Sequence, residues 1–351
     1  MQKLFTFMLV GSITLVGACT GEPNSSSVTG PKNLADATTP NSAVLASTAP
    51  STFGITFEQP TYTVGSINSQ DDWTSLGSIG SGCALYDHAV VPNTYGIASF
   101  GAQSLRMSSA ITSGCFGDQT FSKRLFNYAG ETGSAIGAFS LGGSRQTHFE
   151  AQWDFASTVP GSEQPGLHVV ASADRGDGAR MNWVLMADTP TGLEVDFYDV
   201  QGTGVATDFY FTAVATGLDR TTAHTVKMTM DFVDGPSNDV VNIYVDGVLK
   251  HTGTSWENYF RYLEGSPVPA VNRILFRTGG AADPGTLGNG FVIDNFSAIS
   301  GVTPPTSVDQ CKNGGWQVFN LPAYPNQGQC VADMRQLNKI LTGKSNGKPN
   351  N

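Results

Sequence analysis

The stretch Val240–His251, VVNIYVDGVLKH, decides the fold class of this chain. Val240–Val245 is a short strand-like run, and Val248–His251 is a second one. Between them stands Asp246-Gly247, a dipeptide that favours the tight two-residue turn of a β-hairpin. The stretch therefore predicts two antiparallel strands joined by a hairpin.

The same organisation extends through most of the chain. Short strand-like runs alternate with glycine-rich and Asn/Asp-rich turns, a pattern typical of an antiparallel sandwich. Further strands are predicted at His148–Phe155, Leu193–Tyr198, Thr225–Phe232 and Gly290–Phe296. The first two of these alternate in side-chain character, as a strand with one buried and one wet face does. We expect an all-β fold of two antiparallel sheets.

The composition agrees with this fold and excludes one class of function. Of 351 residues, 14% are Asp, Glu, Lys or Arg, and 41 are glycine, whereas an ordinary soluble domain has roughly 25% charged residues. This profile favours strands and turns over helices. The 19 basic and 29 acidic residues give a formal net charge of -10. The chain therefore has no excess of positive charge that would attract nucleic acid or an anionic membrane surface.

The N-terminal residues predict export. Residues 1–18 contain one basic residue, Lys3, and then an apolar run that ends at small residues, as a signal peptide does. Val16–Cys19 resembles the bacterial lipobox, which implies a lipid-modified Cys19 and, because Thr20 follows, sorting to the outer membrane in a Gram-negative envelope. The alternative is an ordinary secretory signal with an incidental cysteine. Residues 19–51 are rich in Ser, Thr and Pro and predict a disordered tether.

The remaining cysteines form an even set. With Cys19 assigned to lipid, sequence proximity favours the disulfides Cys83–Cys115 and Cys311–Cys330, although four cysteines permit three connectivities. A zinc site is the alternative, but no C-x-x-C or nearby histidine spacing supports it.

Two segments resemble a known family. Val240–Leu249 and Phe291–Phe296, FVIDNF, look like concanavalin A-like lectin/glucanase domains, including laminin-G-like modules. The resemblance covers roughly residues 52–300. It implies a jelly roll of two antiparallel sheets whose concave face or rim loops bind carbohydrate, with calcium in some members.

One strand carries the catalytic candidates. Glu194–Asp199, EVDFYD, is similar to the Glu-x-Asp-x-x-Glu strand of laminarinase-like glycoside hydrolases. The similarity implies a nucleophile at Glu194 and an acid/base at Asp199, with Asp196 beside them. Residues two apart share a strand face, so a one-residue bulge is needed to bring Asp199 to the face of Glu194. The alternative is a strand with its polar face in water.

Aromatic residues beside polar ones suggest a sugar site. Aromatic rings offer apolar faces for sugar C–H groups, while carboxylates and arginine fix the hydroxyls. The candidates are Trp256, Glu257, Tyr259, Arg261 and Trp73. The alternative for each aromatic residue is packing in the core or against a loop.

Calcium is a candidate cofactor at two places. Asp174–Gly178 and Asp294 offer the oxygen ligands that a hard cation prefers. Neither has EF-hand spacing, and a solvated turn explains the first segment without a metal.

The end of the chain is predicted to be a separate appendage. In residues 301–351 a Pro/Thr linker leads to Cys311 and Cys330, in a segment too small to bury a core without a disulfide. A short helix is predicted at Val331–Leu341.

The sequence thus favours an exported, lipid-anchored protein whose jelly roll binds carbohydrate or another envelope polymer. The two alternatives are a laminarinase-like hydrolase that uses Glu194 and Asp199, and a non-catalytic structural or protein-binding envelope protein.

Overall fold

Two large antiparallel sheets form the fold. The computed structural model of the chain describes residues 49–76, 87–108, 110, 119–205, 208–278 and 284–341. The strands, in chain order, are β1 Ser51–Ile55, β2 Gly65–Ser66, β3 Thr74–Leu76, β4 His88–Pro92, β5 Gln103–Met107, β6 Gln119–Phe121, β7 Tyr128–Ala129, β8 Arg145–Gln146, β9 His148–Ser157, β10 His168–Asp174, β11 Trp183–Thr189, β12 Gly192–Val200, β13 Phe209–Leu218, β14 His224–Asp231, β15 Val240–Val245, β16 Val248–Gly253, β17 Arg273–Arg277 and β18 Phe291–Gly301.

The two sheets have nine and seven strands. The nine-stranded sheet has the order β16-β15-β14-β9-β18-β5-β4-β2, and β1 also pairs with β18. The seven-stranded sheet has the order β13-β12-β11-β10-β17-β6-β3. Neighbours in both orders are often distant in sequence, as in a jelly roll, where the chain crosses between the sheets.

Aromatic side chains fill the space between the sheets. Phe276 of β17 lies with its ring centroid 6.1 Å from Trp73, 6.0 Å from Trp153 of β9 and 5.8 Å from Phe296 of β18. All four side chains are fully buried. Because β17 belongs to one sheet and β9 and β18 to the other, these rings join the two sheets.

The sequence-predicted hairpin is confirmed. β15 and β16 pair with Val245 opposite Val248. Asp246 and Gly247 have φ values of 52° and 76°, the left-handed conformation at both turn positions that Asp-Gly adopts readily in a tight hairpin. The predicted strands at His148–Phe155, Leu193–Tyr198, Thr225–Phe232 and Gly290–Phe296 correspond to β9, β12, β14 and β18.

A stapled appendage follows the last strand. The predicted Cys311–Cys330 disulfide is confirmed, and both cysteines pack with Phe319, Tyr324 and Met334 in a small cluster of their own. Short 3-10 turns at Val308–Cys311 and Gly315–Val318 precede the only α-helix of the described residues, α1 Gln327–Leu341.

Helix α1 begins four residues before the predicted helix start at Val331. The side-chain oxygen of Asn326 accepts a hydrogen bond from the backbone N–H of Gln329 at 2.9 Å, which satisfies a donor of the first turn as an N-cap does. The segment Gln327–Gln329 is polar, so no apolar period marked it as helical.

Several predictions concern residues outside the described ranges. These are the signal peptide with Cys19, nearly all of the tether, and the Cys83–Cys115 disulfide; β1 begins at Ser51, the last residue of the predicted tether. In the part of the chain that the structure describes, no helix is long and apolar enough to cross a membrane.

We predict that Phe276→Ala lowers the free energy of unfolding by about 3–5 kcal/mol, because it removes the ring that joins the sheets and leaves a cavity. Phe126→Ala is the matched control, since the Phe126 side chain is 57% exposed, and it should cost less than about 1 kcal/mol. Urea unfolding of both variants measures the difference. Equal losses would contradict this description of the core.

Candidate functional site

The outer face of the seven-stranded sheet carries the candidate site. On β12, Leu193, Val195 and Phe197 lie in the core between the sheets. Successive side chains of a strand point to opposite faces. Glu194, Asp196 and Tyr198 therefore lie on the outer face of this sheet.

Neighbouring strands extend this face. Val184 and Met186 of β11 lie in the core, so Trp183 and Leu185 lie on the outer face. The register pairs Trp183 with Tyr198 and Leu185 with Asp196. On β10, Ala171 and Ala173 lie in the core, which leaves Ser172 on the outer face.

Three aromatic rings form a ridge across this face. The Tyr198 ring centroid lies 5.6 Å from that of Trp183 and 5.1 Å from that of Phe211 on β13. Phe211 is 52% exposed. The Arg180 guanidinium lies 5.7 Å from the centroid of the Trp183 ring, within the range of a cation–π interaction. We call Trp183, Tyr198 and Phe211 the aromatic ridge.

Three buried polar groups on the same face leave hydrogen-bonding atoms unused within the described ranges. The Ser172 hydroxyl, the Trp183 indole N–H and one carboxylate oxygen of Asp196 are buried and have no hydrogen-bond partner among the described residues. Buried polar atoms are nearly always hydrogen-bonded, and each exception needs an explanation. A polar ligand or ordered water on this face would supply it.

Glu194 and Asp196 form a hydrogen-bonded carboxyl pair. Burial, followed by the hydrogen bond and charge of Glu194, raises the pKa of Asp196 to about 8. The folded chain therefore keeps the Asp196 proton to a higher pH than an ordinary aspartic acid does. The pair offers two carboxyl groups side by side.

Burial shifts the pKa values of two further groups near the ridge. Burial lowers the pKa of Arg180 to about 10, and the charge of Arg277 adds to this effect. Burial and the charge of Asp196 raise the pKa of Tyr198. At neutral pH the face therefore carries a cation at Arg180 and a neutral phenol at Tyr198.

The structure does not bring Asp199 to Glu194. The pairing of β12 with β11 is uninterrupted from Gly192 to Tyr198, and the register irregularities at the other edge occur opposite β13. Without a bulge in β12, Asp199 falls on the inner face, where it accepts a hydrogen bond from the backbone N–H of Thr254 at 3.3 Å. Of the three catalytic candidates, only Glu194 and Asp196 are together.

The predicted sugar-binding aromatic residues occupy different environments. Trp73 is a fully buried core residue, so it has no surface to offer a ligand. Trp256 is only 8% exposed, and its indole N–H donates to the carbonyl oxygen of Tyr198 at 3.0 Å. Its ring lies 5.9 Å from that of Trp183, so Trp256 packs against the aromatic ridge. The Tyr259 hydroxyl donates to Glu264.

Glu257 and Arg261 lie in a buried charged cluster. One Glu257 oxygen accepts hydrogen bonds from the backbone N–H groups of Asn238 at 2.8 Å and Asp239 at 3.0 Å. Arg261 donates to the buried carboxylate of Glu131. Arg261 thus forms ion pairs with both Glu131 and Glu257, and sugar binding by Glu257 and Arg261 stays a prediction.

The carboxylates proposed for calcium bind backbone N–H groups. One oxygen of Asp174 accepts the N–H groups of Gly176, Asp177 and Gly178, and the Asp174 side chain is fully buried, whereas Asp177 of the same turn is exposed. Asp294 accepts the N–H of Gly101 at 3.1 Å and that of Asn295 at 2.8 Å. Burial raises the pKa of Asp294 to about 7.

No protein-family model and no curated protein matches the chain. Among solved structures, the endo-β-1,4-glucuronan lyase of the fungus Trichoderma reesei has a TM-score of 0.37 at 14% identity, over 70% of this chain and 93% of that one.

Two other solved structures give similar values. The Crh5 transglycosylase in complex with NAG has a TM-score of 0.35 at 15% identity, over 73% of this chain and 86% of that one. The catalytic domain of an endo-1,3-β-glucanase (laminarinase) from Thermotoga petrophila RKU-1 has a TM-score of 0.29 at 14% identity, over 44% and 63%. At such values the function of this chain must be argued from its own residues.

We predict that Asp196→Asn alters the pH dependence of stability. The folded-state pKa of about 8 lies above the value of about 3.9 for an unfolded Asp, so the folded chain holds a proton that the unfolded chain releases. In the native protein this group therefore loses stabilisation as pH rises from about 4 to about 8. The free energy of unfolding of the variant, relative to the native protein, should rise over this window and then stay constant. Urea unfolding of both proteins between pH 5 and pH 9 tests this, and a difference independent of pH would contradict it.

Proposed function

We propose that the protein binds a carbohydrate, or another hydroxyl-rich envelope polymer, on the outer face of the seven-stranded sheet. The observation that carries this proposal is the aromatic ridge, beside which buried polar groups have no hydrogen-bond partner in the described part of the chain.

The residues of this face suit a sugar chemically. Each ring of the ridge can cover an apolar C–H face, and Phe211 is exposed enough to do so without rearrangement. Glu194, Asp196 and Arg180 supply acceptors and donors for hydroxyl groups at the same place. Neither an apolar groove nor a purely charged patch offers this combination.

The shape of the face favours an extended ligand. The ridge crosses three neighbouring strands, β11, β12 and β13, and adjacent strands lie about 4.8 Å apart. The ridge is therefore roughly 10 Å long. A polymer can lie along such a ridge and contact several rings in succession.

A second candidate function is polysaccharide cleavage by the Glu194–Asp196 pair. Two neighbouring carboxyl groups, one of which has a raised pKa, are the kind of pair that acid–base catalysis uses. However, hydrogen-bonded carboxyl groups are closer than the about 5–5.5 Å that retaining glycosidases use, so one side chain must turn away when substrate binds. Cleavage that persists in Glu194→Gln would remove this candidate.

We also propose that the protein is exported and anchored through lipid on Cys19. The support is the sequence alone: an apolar run, small residues and then the cysteine. A lipid anchor and a tether would keep the binding face accessible to polymers of the cell envelope.

We predict that the full chain, expressed in a Gram-negative host, partitions into the detergent phase of a Triton X-114 extract and that Cys19→Ala moves it to the aqueous phase. The variant loses the acyl chains that hold the protein in detergent. Cys311→Ser is the control, since it removes a cysteine of the appendage and should leave the partition unchanged. Native protein in the aqueous phase would contradict the anchor.

We predict that Trp183→Ala lowers the affinity for whichever polymers the native protein selects from a glycan and cell-wall array by at least about tenfold, or about 1.4 kcal/mol. Trp316→Ala removes a tryptophan of the appendage and is the matched control. Both variants are first checked for an unchanged far-ultraviolet circular dichroism spectrum. Full binding by Trp183→Ala, or no binding by the folded native protein to any polymer, would contradict the proposal; the second result favours a structural or protein-binding role.

A further inference from the structure

Three buried carboxylates meet at a place that the ligand-binding proposal does not use. Glu131 follows β7, Asp239 precedes β15, and Glu257 lies just before the π-helix Tyr259–Glu264. One oxygen from each lies within 4.8 Å of the others. Their exposed fractions are 4%, 4% and 0%. We call these residues the carboxylate cluster.

One guanidinium faces the carboxylate cluster. Arg261 donates to Glu131, to Glu257 at 3.4 Å and to the carbonyl oxygen of Gly235 at 3.1 Å. A single arginine compensates one of three negative charges. Buried charges need a partner or a metal, so two charges remain to be balanced when all three groups are ionised.

The other hydrogen bonds of the cluster leave one carboxylate oxygen without a partner among the described residues. Asp239 accepts the backbone N–H of Val233 at 3.0 Å and the hydroxyl of Ser255 at 2.6 Å. One oxygen of Glu131 is buried and has no partner among the described residues. This oxygen belongs to a side chain that is more than nine-tenths buried, and an unpaired buried carboxylate oxygen is costly.

Neutral oxygen atoms stand close to the cluster in sequence. The side-chain amide oxygens of Asn238 and Asn258, which adjoin Asp239 and Glu257, are buried and have no hydrogen-bond partner among the residues that the structure describes. Carboxylate and amide oxygens together are the ligand set of a hard cation. The cluster contains neither histidine nor cysteine, so the softer transition metals are disfavoured.

We propose that the carboxylate cluster of Glu131, Asp239 and Glu257 binds one calcium ion. Oxygens that share a calcium ion at about 2.3–2.6 Å can be up to about 5.2 Å apart, and the oxygens of the cluster, which lie within 4.8 Å of one another, meet this limit. The double charge of a calcium ion balances the two carboxylates that Arg261 leaves uncompensated when all three are ionised. The proposal does not rest on the proposed function.

The consequence for the fold is a link between three distant segments. The loop after β7, the turn before β15 and the segment after β16 would share one ion. We therefore expect calcium to stabilise the folded chain, because a ligand that binds only the folded state adds to its stability.

The test uses the full chain after treatment with chelator and exchange into calcium-free buffer. Titration calorimetry with CaCl2 should give one calcium per chain. At a calcium concentration about 100 times the dissociation constant, the thermal unfolding midpoint should rise by about 4–5 °C. Glu131→Gln keeps the shape of the side chain but removes its charge, and it should weaken calcium binding at least tenfold.

Two control variants make the result specific. Glu163→Gln makes the same substitution on the loop between β9 and β10, outside the cluster, and should bind calcium as the native chain does. Asp294→Asn removes a candidate calcium carboxylate outside the cluster and should also leave binding unchanged. If Glu131→Gln does not fold, Asp239→Asn replaces it and should show the same loss.

Two outcomes would overturn the proposal. The first is a folded native chain that gives no heat of calcium binding and no shift of the thermal unfolding midpoint. This result would mean that bound protons neutralise the negative charge of the cluster. The second is calcium binding that survives Glu131→Gln and Asp239→Asn, or that is lost in Asp294→Asn, which would place the ion elsewhere. Neither outcome bears on polymer binding by the aromatic ridge, so the two proposals fail separately.

Discussion

The packing of Phe276 against Trp73, Trp153 and Phe296 is the contact on which the rest of the structure depends. It joins the two sheets, and thereby fixes which face of every strand is buried. Because side chains alternate along a strand, this choice also fixes which residues remain for the outer face. The aromatic ridge and the Glu194–Asp196 pair are on that outer face because Val195 and Phe197 are in the core.

Much of the fold could be predicted from local patterns. Asp246-Gly247 specified its hairpin, and alternation identified β9 and β12, because one face of each is wet. The position of Asp199 could not be predicted, since it depends on whether β12 contains a bulge. The same alternation that located β12 also places Asp199 on the inner face when no bulge occurs.

The aromatic ridge could not be predicted from the sequence for a different reason. β11 reads WVLMADT, in which both faces begin with apolar residues, so hydropathy does not separate Trp183 on the outer face from Val184 in the core. The segment Trp256–Arg261 shows a different case. Its aromatic and charged residues resemble a sugar site, and in the structure Trp256 packs against Trp183 of the ridge, Glu257 belongs to the carboxylate cluster and Arg261 donates to that cluster. One short segment thus contributes to two sites.

The central claim is that the outer face of the seven-stranded sheet is the ligand face. Hydrogen–deuterium exchange of the full chain, with and without the polymer selected by the array, tests this claim most directly. We predict that added polymer slows exchange in peptides covering Trp183–Thr189 and Gly192–Val200, and leaves peptides of β14 and β15 in the other sheet unchanged. Protection confined to the nine-stranded sheet or to the appendage would contradict the account.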